Sequence, residues 1–331
     1  MVSSGNGSFH PRISVAMCTF NGGPYLGEQL ESIASQTQLP CELVVCDDRS
    51  NDDTTVILHR FQRHAPFPVK VVQNELRMGS TQNFDQAIGM SSGDFIALCD
   101  QDDRWLPIKL ERLAGVLNEN PFLGGVFSDA NLIDGNSRPM GIRLFTRHKF
   151  TNVKQQAFVS NPTSMLLKHD VVTGATLMFR SNLRRYCSPI PATWVHDGWL
   201  AWMIALHSRL TVIPEPLIEY RIHAGQQLGV GGAPTRQSAT GGRETRRQHY
   251  ARVARQFEDL LNRVLSGGWS YSDGLVERIR AKITFLKQQS ALSEQLGLRT
   301  LQMVGLLPNY LHYARGLGSL RTDLLLGRET P

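Results

Sequence analysis

The chain has 331 residues, a formal net charge of +6, and 41% hydrophobic against 19% charged residues. This balance is typical of a soluble globular protein, and the length allows one large α/β domain with an extension or two small domains. No stretch reaches the roughly 20 consecutive apolar residues of a transmembrane helix. The five cysteines include no CxxC pair that would indicate zinc or redox chemistry.

The N-terminal residues 1–11 are rich in Ser and Gly and lack the apolar segment of a signal peptide. We therefore expect them to be disordered and the protein to be cytoplasmic. Short apolar strands are predicted at 13–19, 42–46, 69–73 and 95–99, and helical patterns separate them. This alternation predicts an α/β fold with a mainly parallel central sheet flanked by helices.

Polar side chains follow three of these strands at the point where each strand ends. Thr19 and Asn21 follow the first strand, Asp47 and Ser50 follow the second, and Asp100-Gln101-Asp102-Asp103 follows the fourth. Ligands of doubly wound sheets bind outside the carboxyl ends of the strands. Three polar clusters at one edge therefore predict a binding site there.

The acidic run is the strongest chemical signal in the chain. Buried carboxylates are costly without a partner, so three of them at a strand end indicate a neutralising cation. Oxygen ligands select Mg²⁺ or Mn²⁺, and Mg²⁺ usually keeps positions for water and substrate phosphate. We expect Asp102 to bind the metal and Asp100 to contact a ribose or to support the metal. Asp103 could cap the next turn, and a purely structural turn is the alternative.

Asp47 continues a strand, and its carboxylate could accept a hydrogen bond from a pyrimidine N3–H or from a ribose hydroxyl. The alternative is an Asx turn or a helix N-cap. That alternative fits Ser50 well and Asp47 poorly. A nucleoside contact is therefore predicted for Asp47.

The second half of the chain carries further strand patterns. One strand at 125–129 ends in an acid, Asp129, and a hairpin turn is predicted at 132–136. Another strand is predicted at 172–179. Two short strands are predicted at 211–213 and 217–220.

His196-Asp197-Gly198-Trp199 opens an apolar helix, where the helix dipole keeps a carboxylate ionised. An ionised Asp197 facing a cleft could act as general base on a sugar hydroxyl, and an N-cap is the alternative. Arg221 could pair with phosphate, and His223 could bind a metal or a diphosphate. A structural role is the alternative for His223.

Residues 226–242 are rich in Gly, Ser and Gln and predict a flexible loop or linker. Residues 243–331 show apolar stripes at helical spacing and many arginines. These helices could pack on the preceding domain, form a homodimer interface or lie on a membrane surface. The arginines could also form a solvated helix face. We favour packing, with peripheral membrane contact as a second role.

Four segments together resemble family 2 glycosyltransferases of the GT-A fold. They are Ile13–Gly22, Val44–Asp52, Cys99–Pro107 and His196–Trp199. The Asp-Gln-Asp-Asp-x-Trp, His-Asp-x-Trp and Tyr-Arg-x-His patterns are similar to those of the rhamnosyltransferase-like members. The resemblance covers residues 12–225, which are expected to form the catalytic domain, with a helical C-terminal extension.

The resemblance implies an inverting transfer of rhamnose or another hexose from a nucleotide-diphospho-sugar, dTDP- or UDP-linked, with Mg²⁺ or Mn²⁺. It implies that Asp197 is the catalytic base and that Asp100 and Asp102 form the DxD motif. His223 would lie near the diphosphate. The expected donor-binding residues are Thr19, Asn21, Asp47, Ser50, Asp100 and Arg221, and Asp129, His196 and Trp199 are expected to position donor or acceptor.

The expected acceptor is a glycan or a lipid-linked glycan in cell-surface polysaccharide or glycolipid synthesis, which would place the protein at the inner face of the plasma membrane. No nucleic acid partner is expected. A nucleotidyltransferase is one alternative, but Asn21-Gly22-Gly23-Pro24-Tyr25 lacks the Lys of a phosphate loop. A non-catalytic nucleotide-sugar-binding protein is another, and the retained acids argue against it.

Overall fold

A computed structural model describes residues 11–226, 244–269, 271, 274–314 and 317–325. Residues 1–10 and 227–243 lie outside the described residues, and with them most of the predicted disordered N-terminus and linker. Two units can be distinguished by their internal contacts. The first lies within 1–155, 172–190 and 195–223, and the second lies within 156–171, 191–194 and 224–331. The predicted domain boundary at residue 225 stays a prediction.

Nine strands of the described chain form one mixed sheet in the first unit. They are β1 (Ile13–Thr19), β2 (Glu42–Asp47), β3 (Val69–Gln73), β4 (Phe95–Cys99), β5 (Arg104–Trp105), β6 (Leu123–Asp134), β7 (Pro139–Arg143), β8 (Leu177–Arg180) and β9 (Arg209–Ile222).

The helices among the described residues are numbered in chain order. They are α1 (Gly23–Ala34), α2 (Thr54–Gln62), α3 (Ser80–Met90), α4 (Lys109–Glu119), α5 (Leu144–Arg147), α6 (Asn152–Ser160), α7 (Pro162–Leu166), α8 (Arg184–Cys187), α9 (His196–His207), α10 (Arg246–Ser266), α11 (Leu275–Ser290), α12 (Leu296–Gly305), α13 (Leu307–Tyr313) and α14 (Leu317–Leu324).

The strand order is β3-β2-β1-β4-β8-β6-β9-β5, with β7 paired to β6. The first four strands are parallel to one another, as predicted. β6 and β9 are also parallel, whereas β8 runs antiparallel to β4 and β6. Every residue of β1 and β4 is buried, as in strands covered on both faces. The parallel half therefore brings the carboxyl ends of β1, β2 and β4 to one edge.

Strand bounds in the second half of the chain differ from the predicted ones. The strands predicted at 211–213 and 217–220 are one strand, β9, whose register with β6 shifts beside Pro216. Proline lacks the N–H that a regular ladder needs, and bulges accommodate it. The strand predicted at 172–179 begins only at Leu177, because Gly174–Thr176 forms a 3₁₀ turn that the Thr176 hydroxyl closes on the Thr173 carbonyl at 2.7 Å.

The second unit contains the predicted amphipathic helices. The stripe on α10 is buried at positions that include Tyr250, Phe257 and Leu260, and the stripe on α11 is buried as well. The third predicted stripe is divided between α13 and α14. No helix of the described chain is long and apolar enough to cross a membrane.

Asp323 is a fully buried carboxylate of the second unit. Its oxygens accept hydrogen bonds from the Tyr250 and Tyr310 hydroxyls, at 2.6 and 2.5 Å, and from Gln289 Nε2 at 2.8 Å. Arg246 forms an ion pair with it. A single carboxylate on α14 thus joins α10, α11 and α13.

The substitution Asp323→Ala should destabilise the second unit by about 3 to 5 kcal/mol, because it breaks an ion pair whose carboxylate is fully buried and leaves the half-buried Arg246 without its counter-charge. Urea unfolding would measure the loss, and hydrogen exchange should increase in α10 and α11. Glu294→Ala removes an acid that is 86% exposed and pairs with Arg247, so it should change stability by less than about 0.5 kcal/mol. Equal effects of the two variants would contradict this role.

Candidate functional site

The first two polar clusters meet at the predicted edge of the sheet. Thr19 and Asp47 are register partners on β1 and β2, and the Thr19 hydroxyl donates to Asp47 Oδ1 at 2.7 Å. The Asn21 N–H donates to Ser50 Oγ at 2.9 Å, and Asn21 Oδ1 accepts from the Asn51 N–H at 3.0 Å. Asn21 has a left-handed backbone with φ 48°, which Asn tolerates. These residues therefore lie close together, as predicted from their positions at the strand ends.

The Asp47 carboxylate is fully buried and accepts four protein donors. Besides Thr19, these are the Ser50 N–H at 2.9 Å, the Ser50 hydroxyl at 2.5 Å and Gln73 Nε2 at 3.3 Å. The carboxylate thus orders the turn after β2, which is the structural alternative named for Asp47. A nucleoside contact would have to replace one of these donors, and it stays a prediction.

Two residues outside the predicted site, Asp48 and Gln101, also shape this edge. Asp48 accepts the backbone N–H groups of Met78 and Gly79 at 2.6 and 2.9 Å, so it holds the loop before α3. Gln101 exchanges hydrogen bonds with the backbone of Phe20, at 2.8 and 3.1 Å. Gln101 therefore ties the acidic turn to the loop after β1. Its position between Asp100 and Asp102 was the sequence feature that could have identified it.

The two predicted metal ligands lie side by side. His223 Nε2 is 2.8 Å from Asp102 Oδ2, and both side chains keep slight exposure, 14% and 13%. The His223 ring packs against Tyr25, with ring centroids 4.6 Å apart. No group of three or more His, Cys, Asp or Glu side chains within the described ranges could hold a metal. One carboxylate and one imidazole suit an ion that completes its shell with water and donor phosphate.

The electrostatics of the acidic turn also favour a cation. Burial, followed by the charges of Asp102 and Asp197, raises the pKa of Asp100 to about 7. Burial, followed by the charges of Asp102 and Asp100, raises the pKa of Asp103 well above its usual range. Asp103 Oδ1 accepts the Arg221 N–H at 3.0 Å, while Oδ2 has no partner among the described residues. A divalent ion would relieve this repulsion, so these residues fit the predicted metal.

Arg221 contacts the acidic turn and the elements beside it. Its fully buried guanidinium donates to the Asp102 carbonyl at 2.6 Å, to Ser137 Oγ at 2.7 Å and to Glu28 Oε2 at 2.9 Å. Glu28 supplies its counter-charge. These contacts hold the acidic turn in place, and the phosphate contact of Arg221 stays a prediction.

Asp197 lies in the first turn of α9, where Val195 is the N-cap residue. Its Oδ2 accepts the Gly174 N–H at 3.3 Å, and its Oδ1 accepts the Gly198 N–H at 2.7 Å. The charge of Asp197 contributes to the raised pKa of Asp100, which places the two acids in one electrostatic environment. The carboxylate is therefore oriented by backbone donors rather than serving as the N-cap.

The three predicted positioning residues lie in different surroundings. His196 is buried and stacks on Phe84 at 3.8 Å, and burial lowers its pKa. Trp199 is fully buried, and its Nε1 donates to the Cys187 carbonyl at 2.6 Å, so the structure favours a packing role over substrate contact. Asp129 accepts the N–H groups of Ala130 and Phe145, and it orders the bulged part of β6.

The family model described as Glycosyl transferase family 2 matches residues 14–186. An uncharacterized glycosyltransferase of Nostoc sp. is 26% identical over 257 residues, which cover 76% of each chain. An uncharacterized glycosyltransferase of Methanocaldococcus jannaschii is 27% identical over 217 residues, covering 64% of this chain and 71% of the relative.

Two solved structures share the fold. The mannosyltransferase PcManGT from Pyrobaculum calidifontis, in complex with GDP-Man and Mn²⁺, has a TM-score of 0.58 and 16% identity over 97% of this chain and 87% of its own. Staphylococcus aureus TarS 1–349, in complex with UDP-GlcNAc, has a TM-score of 0.56 and 19% identity over 96% of this chain and 89% of its own. The predicted GT-A fold with a helical C-terminal region is confirmed.

Gly174 packs so closely that a Cβ there would lie 2.7 Å from His196 Nε2 and 3.4 Å from Asp197 Cβ. Gly174→Ala should therefore destabilise the chain by about 1 to 3 kcal/mol through overpacking, as measured by urea unfolding. Gly115 lies inside α4 with no atom near its Cβ position, so Gly115→Ala should stabilise by about 0.5 to 1 kcal/mol. Effects of the same sign would contradict the crowding at Gly174.

Proposed function

Because the chain belongs to glycosyl transferase family 2, we propose that it transfers a sugar from a nucleotide-diphospho-sugar to an acceptor hydroxyl, with inversion at the anomeric carbon. The pairing of Asp102 with His223 at 2.8 Å carries this proposal. The carboxylate and the imidazole could together bind a metal ion that also binds the donor diphosphate. Both lie at the sheet edge where ligands of such folds bind. The base, Asp197, belongs to the same electrostatic cluster.

The reaction is a single displacement. The Asp197 carboxylate takes the proton of the acceptor hydroxyl, whose oxygen forms a bond to the anomeric carbon as the bond from that carbon to the diphosphate oxygen breaks. The nucleoside diphosphate leaves with the electron pair. Asp102 and His223 would hold Mg²⁺ or Mn²⁺, which supplies positive charge for the leaving diphosphate. The Gly174 N–H donates to Asp197 Oδ2 at 3.3 Å and orients the carboxylate.

The donor proposed here is dTDP- or UDP-linked rhamnose or another hexose. The support is the motif resemblance, together with the polar edge formed by Thr19, Asn21, Asp47 and Ser50. The acceptor would be a glycan or lipid-linked glycan in cell-surface polysaccharide or glycolipid synthesis.

Asp197→Asn should lower the transfer rate at least about 1,000-fold, because general base catalysis contributes about 10² to 10⁴ and the amide cannot take the proton. Release of nucleoside diphosphate from a panel of UDP- and dTDP-sugars measures transfer, and calorimetry should show donor binding unchanged. Proton NMR of the wild-type product should show the inverted anomer. Substantial turnover in Asp197→Asn would refute the role of the base.

Asp102→Asn should weaken Mn²⁺-dependent binding of nucleoside diphosphate at least about tenfold, because one metal ligand loses its charge. Calorimetry with Mn²⁺ and with EDTA would measure it. Asp53→Asn changes an exposed acid at the start of α2 and serves as control. Mn²⁺-dependent binding that survives Asp102→Asn unchanged would place the metal elsewhere.

We further propose peripheral contact with an anionic membrane surface, at the inner face of the plasma membrane. In α12 and α13, Leu301, Val304 and Leu311 are 71%, 66% and 53% exposed. Arg299 is the one charged residue in the sequence 295–314, and it is buried. Residues 224–331 hold 15 Lys and Arg against 8 Asp and Glu, whereas 1–223 hold 20 against 21. Exposed apolar side chains in a basic region favour contact with anionic lipid. A second copy of this chain would be equally basic and would repel it.

The double substitution Leu301→Gln and Val304→Gln should lower flotation with phosphatidylglycerol-containing vesicles at least fivefold. Val56→Gln, a 66% exposed position on α2, should leave flotation unchanged. Sedimentation velocity of the wild type would detect the homodimer as the competing outcome. Unchanged flotation of the double variant would exclude this surface from membrane contact.

A further inference from the structure

Lys109, the first residue of α4, has a completely buried side chain. Lysine is almost never fully buried unless it is paired, because moving an ammonium group out of water is costly. Burial lowers the pKa of Lys109 to about 7. The burial of this amine therefore requires contacts that compensate for its lost hydration.

The contacts of Lys109 come from two separate elements. Its Nζ donates to the Ala175 carbonyl at 2.6 Å and lies 3.5 Å from the ring centroid of Trp105. Such a cation–π contact is strongest where water is excluded. Trp105 follows the acidic turn directly on β5, and Ala175 belongs to the 3₁₀ turn Gly174–Thr176.

One of these elements contacts the proposed base, and the other follows the acidic turn. The 3₁₀ turn donates the Gly174 N–H to Asp197 Oδ2. The segment before Trp105 contains Asp100 and Asp102, and the charge of Lys109 acts on Asp100. One buried amine thus lies between the acids of the donor side and the segment that orients the base.

We propose that Lys109 is a positioning residue for sugar transfer, which fixes the acidic turn and the segment that orients Asp197 relative to each other. This inference rests on the proposed function. Near-attack geometry is sensitive to displacements of about 1 Å, which can cost about 100-fold in rate. Loss of the amine should therefore slow transfer more than it weakens donor binding.

Lys109→Met keeps an apolar side chain against Trp105 and removes the donor to Ala175. We expect kcat to fall at least tenfold, while the KM for donor and the Kd for Mn²⁺-nucleoside diphosphate change less than threefold. Arg112→Met, one turn later on α4 at an exposed ion pair with Glu215, should keep kcat within twofold. A kcat of Lys109→Met within twofold of the wild type would overturn the inference.

Lys109→Ala provides a second test that does not depend on the folding of the methionine variant. Propylamine replaces the atoms that this substitution removes, so it should raise kcat of Lys109→Ala at least fivefold and leave Arg112→Ala unaffected. A folded Lys109→Ala whose low kcat propylamine does not raise would contradict the inference. A wild type that releases no nucleoside diphosphate from any donor would instead refute the proposed function.

Discussion

Repulsion among the clustered carboxylates at the end of β4 is the constraint on which the rest of the site depends. Loss of hydration and the charge of Asp102 raise the pKa values of Asp100 and Asp103. Two cationic side chains counter this repulsion. Arg221 donates to the Asp102 carbonyl, and the charge of Lys109 opposes the rise in the pKa of Asp103. A divalent cation beside Asp102 and His223 would complete the neutralisation from the solvent side.

The order of the sheet explains how distant residues reach this turn. β9 ends beside the acidic turn, so Arg221 and His223 contact Asp102 across about 120 positions of sequence. β8, inserted between β4 and β6, is preceded by the 3₁₀ turn that contacts both Lys109 and Asp197. The 3₁₀ turn before β8 thus orients the base, the end of β9 brings the histidine, and the end of β4 carries the acids.

Local sequence patterns predicted the parallel half of the fold because β1, β2 and β4 are nearly continuous apolar runs ended by polar residues. They could not predict long-range partners. Arg221 pairs with Glu28, 193 positions away, and no local pattern indicates this buried contact. A lysine that begins an amphipathic helix likewise gives no sign of burial, so Lys109 was not selected. Trp199 was selected from a motif, although its ring packs in the core.

Thermal unfolding of the full chain with Mn²⁺ and a nucleoside diphosphate, compared with EDTA, tests the need for a cation most directly. If the carboxylates at the end of β4 form the metal site, the two ligands together should stabilise the folded chain by about 2.7 kcal/mol at 100 times Kd. Asp102→Asn should abolish that gain. An unfolding temperature that is the same in Mn²⁺ and in EDTA, with nucleoside diphosphate present, would contradict the central claim.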